Sequence, residues 1–162
     1  MSVELSWHLC RFTELSVDAL YALLRLRDQV FVVEQDSVYG DVDNLDPLAW
    51  HVQGLAASGA LLAYARVLPP GVKDTQAVCI GRVVVAAAAR GLGLGSVLLD
   101  QALACAAQQW PGVAIMLSAQ CDKQAMYARR GFVAEGGPYD DGGVWHVTMR
   151  RAGLEHGPEL CA

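Results

Sequence analysis

The residues from Arg90 to Ser96 have types and a spacing suited to chemistry, because glycines alternate with leucines directly before an apolar helical pattern. The β-branched stretch 80–85 leads into this segment through four alanines. In order, its residues are Arg90, Gly91, Leu92, Gly93, Leu94, Gly95 and Ser96. The start of a helix presents unpaired N–H groups and a partial positive charge, and glycines let an anion approach the backbone closely. The segment therefore predicts a binding site for a phosphorylated compound.

Two common phosphate-binding loops do not match these residues. A P-loop ends in Gly-Lys-Ser/Thr, but Ser96 follows a glycine directly, and the two lysines of the chain, Lys73 and Lys123, lie elsewhere. A dinucleotide fingerprint beginning at Gly91 would require a glycine in place of Ser96 and an acidic residue about 20 positions later at a strand end. The sequence fits neither pattern, so both classes of nucleotide site are disfavoured.

A third loop pattern has Arg/Gln-x-x-Gly-x-Gly/Ala five residues after a strand valine, and it matches residues 90–95 and their spacing from Val85. This segment resembles the acetyl-CoA loop of the GNAT N-acetyltransferases. Residues 125–132, Ala-Met-Tyr-Ala-Arg-Arg-Gly-Phe, resemble the Tyr-x-x-x-Gly-Phe signature of the same superfamily, which follows the loop at this interval. Two matches in the expected order are much stronger than either alone.

The resemblance narrows to one branch of that superfamily. Stretches at 20–35, 63–66 and 80–82 resemble the ElaA-type branch, and the similarity runs from about Leu5 to Arg150. It implies a single α/β domain whose mixed, mostly antiparallel sheet has about seven strands, is flanked by helices and is splayed between strands four and five. It also implies acetyl-CoA as the cosubstrate. The acetyl acceptor stays undefined.

The resemblance implies a role for each matching position. The N–H of Val83 corresponds to the group that polarises the thioester carbonyl, Val85 corresponds to the residue that grips pantetheine, and Val84 lies on the same strand edge between them. Residues 90–96 correspond to the pyrophosphate cradle. Tyr127 corresponds to the general acid, because a phenol with a pKa of about 10 is protonated at neutral pH and can donate to the departing thiolate. The alternative for Tyr127 is packing of a helix residue against the sheet.

The general base is less well defined. Histone-modifying members have a glutamate six residues before the pantetheine-binding valine, where this sequence has Cys79. Glu34, at the end of the first helical stretch, is the first candidate, and His51 and His146 follow because imidazole changes protonation near neutral pH. The plain structural alternative for Glu34 is an ion pair with a strand arginine. The candidate partners are Arg66 and Arg82.

An acidic loop and a cysteine near a helix start invite further hypotheses. Asp41, Asp43 and Asp46 lack the glycine and the terminal glutamate of an EF-hand, so a solvated loop is expected, or one that attracts a cationic amine. Cys121 is a candidate low-pKa thiol, but direct transfer to an amine needs no thiol nucleophile. The five cysteines form no Cys-x-x-Cys pair and the four histidines are scattered, so reduced thiols and no metal are predicted.

Composition agrees with one globular domain. The chain has 162 residues, of which 54% are hydrophobic and 18% charged, and no apolar run reaches the ~18–20 residues of a membrane span. The first residues lack a basic-then-apolar signal peptide, so a soluble, cytoplasmic protein is expected. The net charge of −5 disfavours nucleic acid as a partner. The sequence leaves the oligomeric state open, a homodimer included.

Hydrophobic periodicity and turn residues predict the elements that must position these groups. The predicted strands are 6–12, 50–57, 60–68, 76–85, 113–118, 132–139 and 144–151, and the predicted helices begin after Ser16, at Gly95 and after a capping Asp122. The first helix is expected to fray around Glu34. One domain, 1–152, and a loose tail, 153–162, follow from this layout.

Two functions of different classes fit the sequence. The first is an N-acetyltransferase that moves an acetyl group from acetyl-CoA to a primary amine of a small molecule or protein, by direct transfer in a ternary complex. The second is a non-catalytic acyl-CoA-binding sensor or interaction module of the same fold, which the missing strand glutamate permits. Tyr127 favours the enzyme.

Overall fold

One seven-stranded sheet organises the protein in the computed structural model, which describes residues 3–158. The strands are β1 (Ser6–Arg11), β2 (Trp50–Leu55), β3 (Leu61–Leu68), β4 (Val78–Val85), β5 (Ile115–Gln120), β6 (Val133–Asp141) and β7 (Val144–Arg151). Their order is β1-β2-β3-β4-β5-β7-β6, with β4 parallel to β5 and the other neighbours antiparallel. The predicted mixed, mostly antiparallel α/β fold is confirmed.

Helices pack on both faces of this sheet. They are α1 (Val17–Arg27), α2 (Leu94–Gln109) and the short α3 (Gln124–Ala128). Ser16 caps α1 as predicted, since its hydroxyl accepts the N–H of Ala19 at 3.0 Å. Near Glu34 the chain does not fray as expected. It continues α1 as a π-helical segment, Asp28–Glu34, in which wider turns replace the α-helical ones.

Alternation along β3 supplies two hydrophobic cores. Ala63, Ala65 and Val67 pack with α2, whereas Tyr64 packs with α1 on the opposite face, as the period of two in a strand requires. The buried side of α2 consists of small and branched apolar residues at helical spacing. They are Leu98, Leu99, Ala102, Leu103, Cys105 and Ala106. The sheet is therefore held between two helical layers.

The strands β4 and β5 separate after three residue pairs. Val78–Ile80 pairs with Ile115–Leu117, and no further pairing joins these two strands. On its other side β4 contains a bulge, because Ala65 of β3 stands opposite both Arg82 and Val83. Arg82 there has the left-handed backbone angle φ 53°, which is unusual for a residue with a side chain. The predicted splay between strands four and five is confirmed.

Element boundaries differ from the sequence prediction where turns extend further than expected. Strand β5 begins at Ile115 rather than Val113, because the N–H of Val113 bonds to the carbonyl of Trp110 and prolongs the turn after α2. Asp122 does not cap α3. It lies in a 3-10 turn, Cys121–Lys123, and α3 begins after it without a side-chain cap.

Part of the segment after β7 packs against the rest of the domain. Leu154 packs against the core and its carbonyl accepts the N–H of Gly112 at 3.0 Å, so this part of the predicted tail contacts the turn after α2. Residues 159–162 of that tail, with Cys161, lie outside the described residues.

At the sheet edge, β6 is exposed throughout, and its pairing with β7 is interrupted between Glu135 and Tyr139. Within residues 3–158, every helix is too short or too polar to cross a bilayer.

Candidate active site

A cavity of about 700 Å³ opens where β4 and β5 separate. The second half of β4 and the segment 90–96 form one wall, and the ends of β5 and β7 form the opposite wall. The π-helical segment and α3 contribute Glu34 and Tyr127. The fold therefore brings the predicted acetyl-CoA loop, the predicted strand edge and the predicted acid around one space.

The loop 90–96 presents unpaired backbone donors at the start of α2. Gly91 and Gly93 have left-handed φ angles of 78° and 73°, which glycine adopts without steric cost. A Cβ at either position would meet no atom within 4 Å, so backbone conformation and not space explains the glycine. Among the described residues, the five amides from Gly91 to Gly95 donate to no protein acceptor. Five free N–H groups at the positive end of a 16-residue helix form a site suited to an anion.

The β4 wall offers a backbone edge. Val83, Val84 and Val85 line the cavity, and the side of β4 that faces β5 has no strand partner beyond Ile80. Such an edge can pair with an extended, amide-bearing chain as an added strand would. The bulge at Arg82 changes the direction of the chain directly before Val83.

Glu34 is held by Arg90 and not by a strand arginine. The two guanidinium nitrogens of Arg90 lie 2.5 and 3.0 Å from the two carboxylate oxygens. The hydrogen bonds from Arg90 lower the pKa of Glu34. The Nε of Arg90 also donates to the carbonyl of Val85 at 3.2 Å. Because its oxygens are already engaged, the geometry does not support Glu34 as the base.

His51 lies outside the cavity lining and is fully buried. Its Nε2 is 3.0 Å from the carbonyl oxygen of Asp46 and its Nδ1 is 2.7 Å from the hydroxyl of Tyr64. A carbonyl only accepts, so Nε2 carries the proton and Nδ1 accepts from the tyrosine. Burial lowers the pKa of His51. With both nitrogens bonded in the core, His51 is placed as a structural residue and the geometry does not support a base role.

Tyr127, on α3, lines the cavity. Its side chain is only 7% exposed, and its ring meets Phe132 edge-on at 6.2 Å between centroids. Burial raises the pKa of Tyr127 to about 12. No other group of residues 3–158 hydrogen-bonds the hydroxyl. Tyr127 is thus packed against the core and also lines the cavity, so packing does not exclude the predicted acid role.

The acidic loop is an ion-pair network and not a solvated loop, so that expectation was wrong. Three aspartates of the loop meet three arginines from α1, β3 and β4. The pairs are Arg27 with Asp41 and Asp46, Arg66 with Asp43 and Asp46, and Arg82 with Asp41 and Asp43. Asp41 and Asp46 are buried, and the arginines satisfy their charge. Among the described residues, no group of three His, Cys, Asp or Glu is placed to hold a metal.

The far wall of the cavity contains polar residues that lie outside the recognised sequence motifs. Ser118 and Asp141 line it together with His146, which was a secondary candidate base in the sequence analysis. Cys79, at the position of the family glutamate, also lines the cavity, and burial raises the pKa of its thiol. The hairpin β6–β7 reaches this wall because β7 pairs with β5, and the hydroxyl of Ser37 donates to the carbonyl of Gly142 in the hairpin turn. No local motif marks these residues, since distant segments bring them together.

Comparisons with known proteins agree with the geometry. The family model described as an acetyltransferase (GNAT) domain matches residues 51–152. The crystal structure of an acyl-CoA N-acyltransferase from Pseudomonas aeruginosa is similar with 44% identity and a TM-score of 0.87, covering 92% of this chain and 100% of that chain. The crystal structure of Escherichia coli ElaA has 38% identity and a TM-score of 0.85, covering 91% and 99%. A UPF0039 protein of Synechocystis sp. is 36% identical over 147 residues, which cover 91% of this chain and 95% of that protein.

Proposed function

Because the chain belongs to the GNAT acetyltransferase family, we propose that it transfers the acetyl group of acetyl-CoA to a primary amine. The acceptor is a small molecule or a protein amino group, and the transfer is direct, within a ternary complex. The observation that carries this proposal is the row of five unpaired amides, Gly91 to Gly95, directly beside the free edge of β4. These two features match the two recognisable parts of coenzyme A, its diphosphate and its amide-bearing pantetheine arm.

The diphosphate binds at the amides of the loop. Each N–H there lacks an internal acceptor, so a bound phosphate oxygen satisfies donors that otherwise depend on water. The pantetheine arm then lies along Val83 to Val85, where its amides pair with the β4 backbone. This places the thioester in the inner part of the cavity, near Tyr127.

The chemistry at the thioester requires an oxyanion donor and an acid. The N–H of Val83, the second residue of the bulge, donates to the thioester oxygen as charge develops on it, and one such donor contributes roughly 10²–10³ in rate. Attack by a neutral amine forms the C–N bond and the C–S bond then breaks. The hydroxyl of Tyr127 protonates the sulfur as it departs.

The test combines acetyl-CoA binding with thiol release. Calorimetry with acetyl-CoA and the wild-type protein is followed by a thiol assay with a panel of alkyl amines, aryl amines and peptides. Amine-dependent release of CoA thiol is the expected result. Binding without release for any amine would favour the non-catalytic acyl-CoA-binding module, and absence of binding would overturn both functions.

Two glycine-to-alanine variants test whether acetyl-CoA binds at the loop 90–96. Gly93→Ala places a Cβ on a left-handed residue of the loop, at a cost of about 1–2 kcal/mol, and should weaken acetyl-CoA binding about tenfold. Gly59→Ala is the matched control, because Gly59 has a φ of 84°, also has open space around it and lies in the distant β2–β3 turn. Equal loss of affinity in both variants would contradict binding at the loop.

A further inference from the structure

We infer that His146 is the general base that takes the proton from the attacking amine, an inference that rests on the acetyl transfer proposed above. His146 lies on β7, opposite Gln120 of β5, and lines the same cavity as Val83 and Tyr127. It therefore stands on the wall facing the proposed thioester position, across the gap between β4 and β5. An amine entering this gap lies between the acetyl group and the imidazole.

The protonation pattern of the ring follows from its hydrogen bond. The Nδ1 of His146 is 2.7 Å from the main-chain carbonyl oxygen of Val144. A carbonyl oxygen can only accept, so Nδ1 carries the hydrogen and Nε2 of the neutral ring has a free lone pair. No donor among residues 3–158 hydrogen-bonds Nε2. The cavity thus contains a proton acceptor with no internal partner, which is what a base requires.

The orientation of this ring is fixed by its neighbours. The ring of Tyr139 stacks on it with 6.2 Å between centroids and 24° between planes, and the Tyr139 hydroxyl is hydrogen-bonded to Ser118 of β5. Because side chains alternate along a strand, Ser118 and Gln120 share the face of the sheet on which His146 lies. The Val144 carbonyl and the Tyr139 ring hold the imidazole in place. In enzymes that use a nucleophile and a base, the base is likewise oriented by a third group.

The other candidate bases are engaged or unsuited. The oxygens of Glu34 bind Arg90, and both nitrogens of His51 are bonded in the core. The thiol of Cys79 has a raised pKa because it is buried, so it is a poor acceptor near neutral pH. Asp141 is the exposed last residue of β6, and no neighbouring side chain within residues 3–158 orients its carboxylate. Of these five side chains, Asp141 and His146 have free acceptor atoms at the cavity, and of these two only His146 is partly buried and oriented by a hydrogen bond and a stacked ring.

His146 and Tyr127 return to their starting protonation states over one turnover. The amine nitrogen attacks the thioester carbon, and its proton passes to Nε2 of His146 as the C–N bond forms. The tetrahedral intermediate collapses, the C–S bond breaks and Tyr127 gives its proton to the sulfur. The imidazolium then releases its proton to solvent and the phenolate takes one from solvent. The products are the N-acetyl amine and CoA thiol.

His146→Asn is the main test, because the asparagine amide can keep the donor to Val144 while removing the base. With an alkyl amine accepted by the wild type, kcat/KM should fall about 10²–10⁴-fold, and acetyl-CoA affinity should stay within about twofold. With an aryl amine the loss should stay below about tenfold, because its less basic nitrogen gives up a proton to water more readily. His8→Gln, on β1 and outside this cavity, is the matched control.

Failure of the assignment to His146 and failure of the proposed function give different experimental results. Retention of kcat/KM within about threefold for the alkyl amine, or an equal loss for both amines, would overturn the assignment to His146 while leaving acetyl transfer intact. If the wild type releases no thiol with any amine, the proposed function fails. The inference then also fails. Long-range ¹H–¹⁵N spectra of the ligand-free protein should show the Nδ1–H tautomer for His146, and an Nε2–H tautomer would overturn the inference independently of activity. His146→Gln provides a second variant if the asparagine variant does not fold.

Discussion

Glu34 and Arg90 form a two-pronged ion pair that joins the end of the π-helical segment to the first residue of the glycine-rich loop. Both side chains are more than 40% exposed, and an exposed pair of this kind adds only about 0–1 kcal/mol to stability. The ion pair matters for where it lies, because the guanidinium of Arg90 also donates to the carbonyl of Val85. The pair links three segments that border the cavity.

Glu34→Gln should therefore affect cofactor binding more than proton transfer. We expect acetyl-CoA to bind about threefold to tenfold more weakly, because Arg90 is no longer held in place, while Tm changes by less than about 2 °C. Asp100→Asn, on α2, removes a comparable two-pronged pair with Arg130, which follows α3, and should leave affinity unchanged. An unchanged affinity together with loss of the acidic limb of the pH profile of kcat/KM would instead support Glu34 as the base.

Tyr127→Phe keeps the packing against Phe132 and removes the proton donor. We expect kcat at saturating substrates to fall about 10²-fold or more, with Tm and acetyl-CoA affinity unchanged. Since burial raises the pKa of Tyr127 to about 12, the wild type should lose no activity from ionisation of this phenol below about pH 10. Tyr21→Phe, on the exposed face of α1, is the control. A kcat equal to that of the wild type would assign Tyr127 to packing alone.

Arg82 allows a test of the bulge with two closely matched variants. Both Arg82→Gly and Arg82→Ala remove the ion pairs with the acidic loop, but only alanine keeps a Cβ on a backbone with φ 53°. The glycine variant should be more stable than the alanine variant by about 1–2 kcal/mol and should retain more activity, because Val83 keeps its orientation. Thermal unfolding and kcat/KM measure the difference. Equal values for the two variants would mean that the bulge relaxes when the guanidinium is lost.

Asp46 joins two buried arginines and should be a principal stability residue. Asp46→Asn leaves Arg27 and Arg66 without one shared partner and should cost about 3 kcal/mol of unfolding free energy. Burial alone would raise the pKa of Asp46, but the hydrogen bonds and charge of Arg27, with those of Arg66, lower it. This stability is present above the unfolded pKa of about 3.9 and is lost as pH falls below it.

Urea unfolding between about pH 5 and pH 3 measures this effect. The wild type should lose stability steeply across this interval and Asp46→Asn should lose less, because one linked carboxyl is absent. Asp122→Asn, at an exposed pair with Lys123, should behave as the wild type. Parallel pH dependence of the wild type and the Asp46 variant would rule out Asp46 as a contributor.

Sequence patterns predicted the features that are local in the chain. The glycine loop, the strand before it and Tyr127 on α3 are each set by neighbours within a few residues, and the cavity contains all of them. Hydrophobic periodicity and turn residues likewise predicted the seven strands, whose ends differ from the observed ones by a few residues.

What the sequence could not provide depends on pairs far apart in the chain. The acidic loop looked solvated because its aspartates are polar and closely spaced, and nothing local shows that Arg27 and Arg66 reach them across the fold. The same holds for Glu34, whose partner Arg90 is 56 residues away. The free nitrogen of His146 follows from one hydrogen bond to a main-chain carbonyl, which residue identity does not encode.

The interrupted edge strand β6 has a consequence for association between molecules. An open edge invites another chain to extend the sheet, and long regular edges favour aggregation into filaments. Here the pairing of β6 with β7 is interrupted between Glu135 and Tyr139. Pro138, within the interruption, has no backbone N–H that could bond to a strand of another molecule. An incoming strand therefore finds no continuous register along this border, and the seven-stranded sheet is protected from growing at its exposed side.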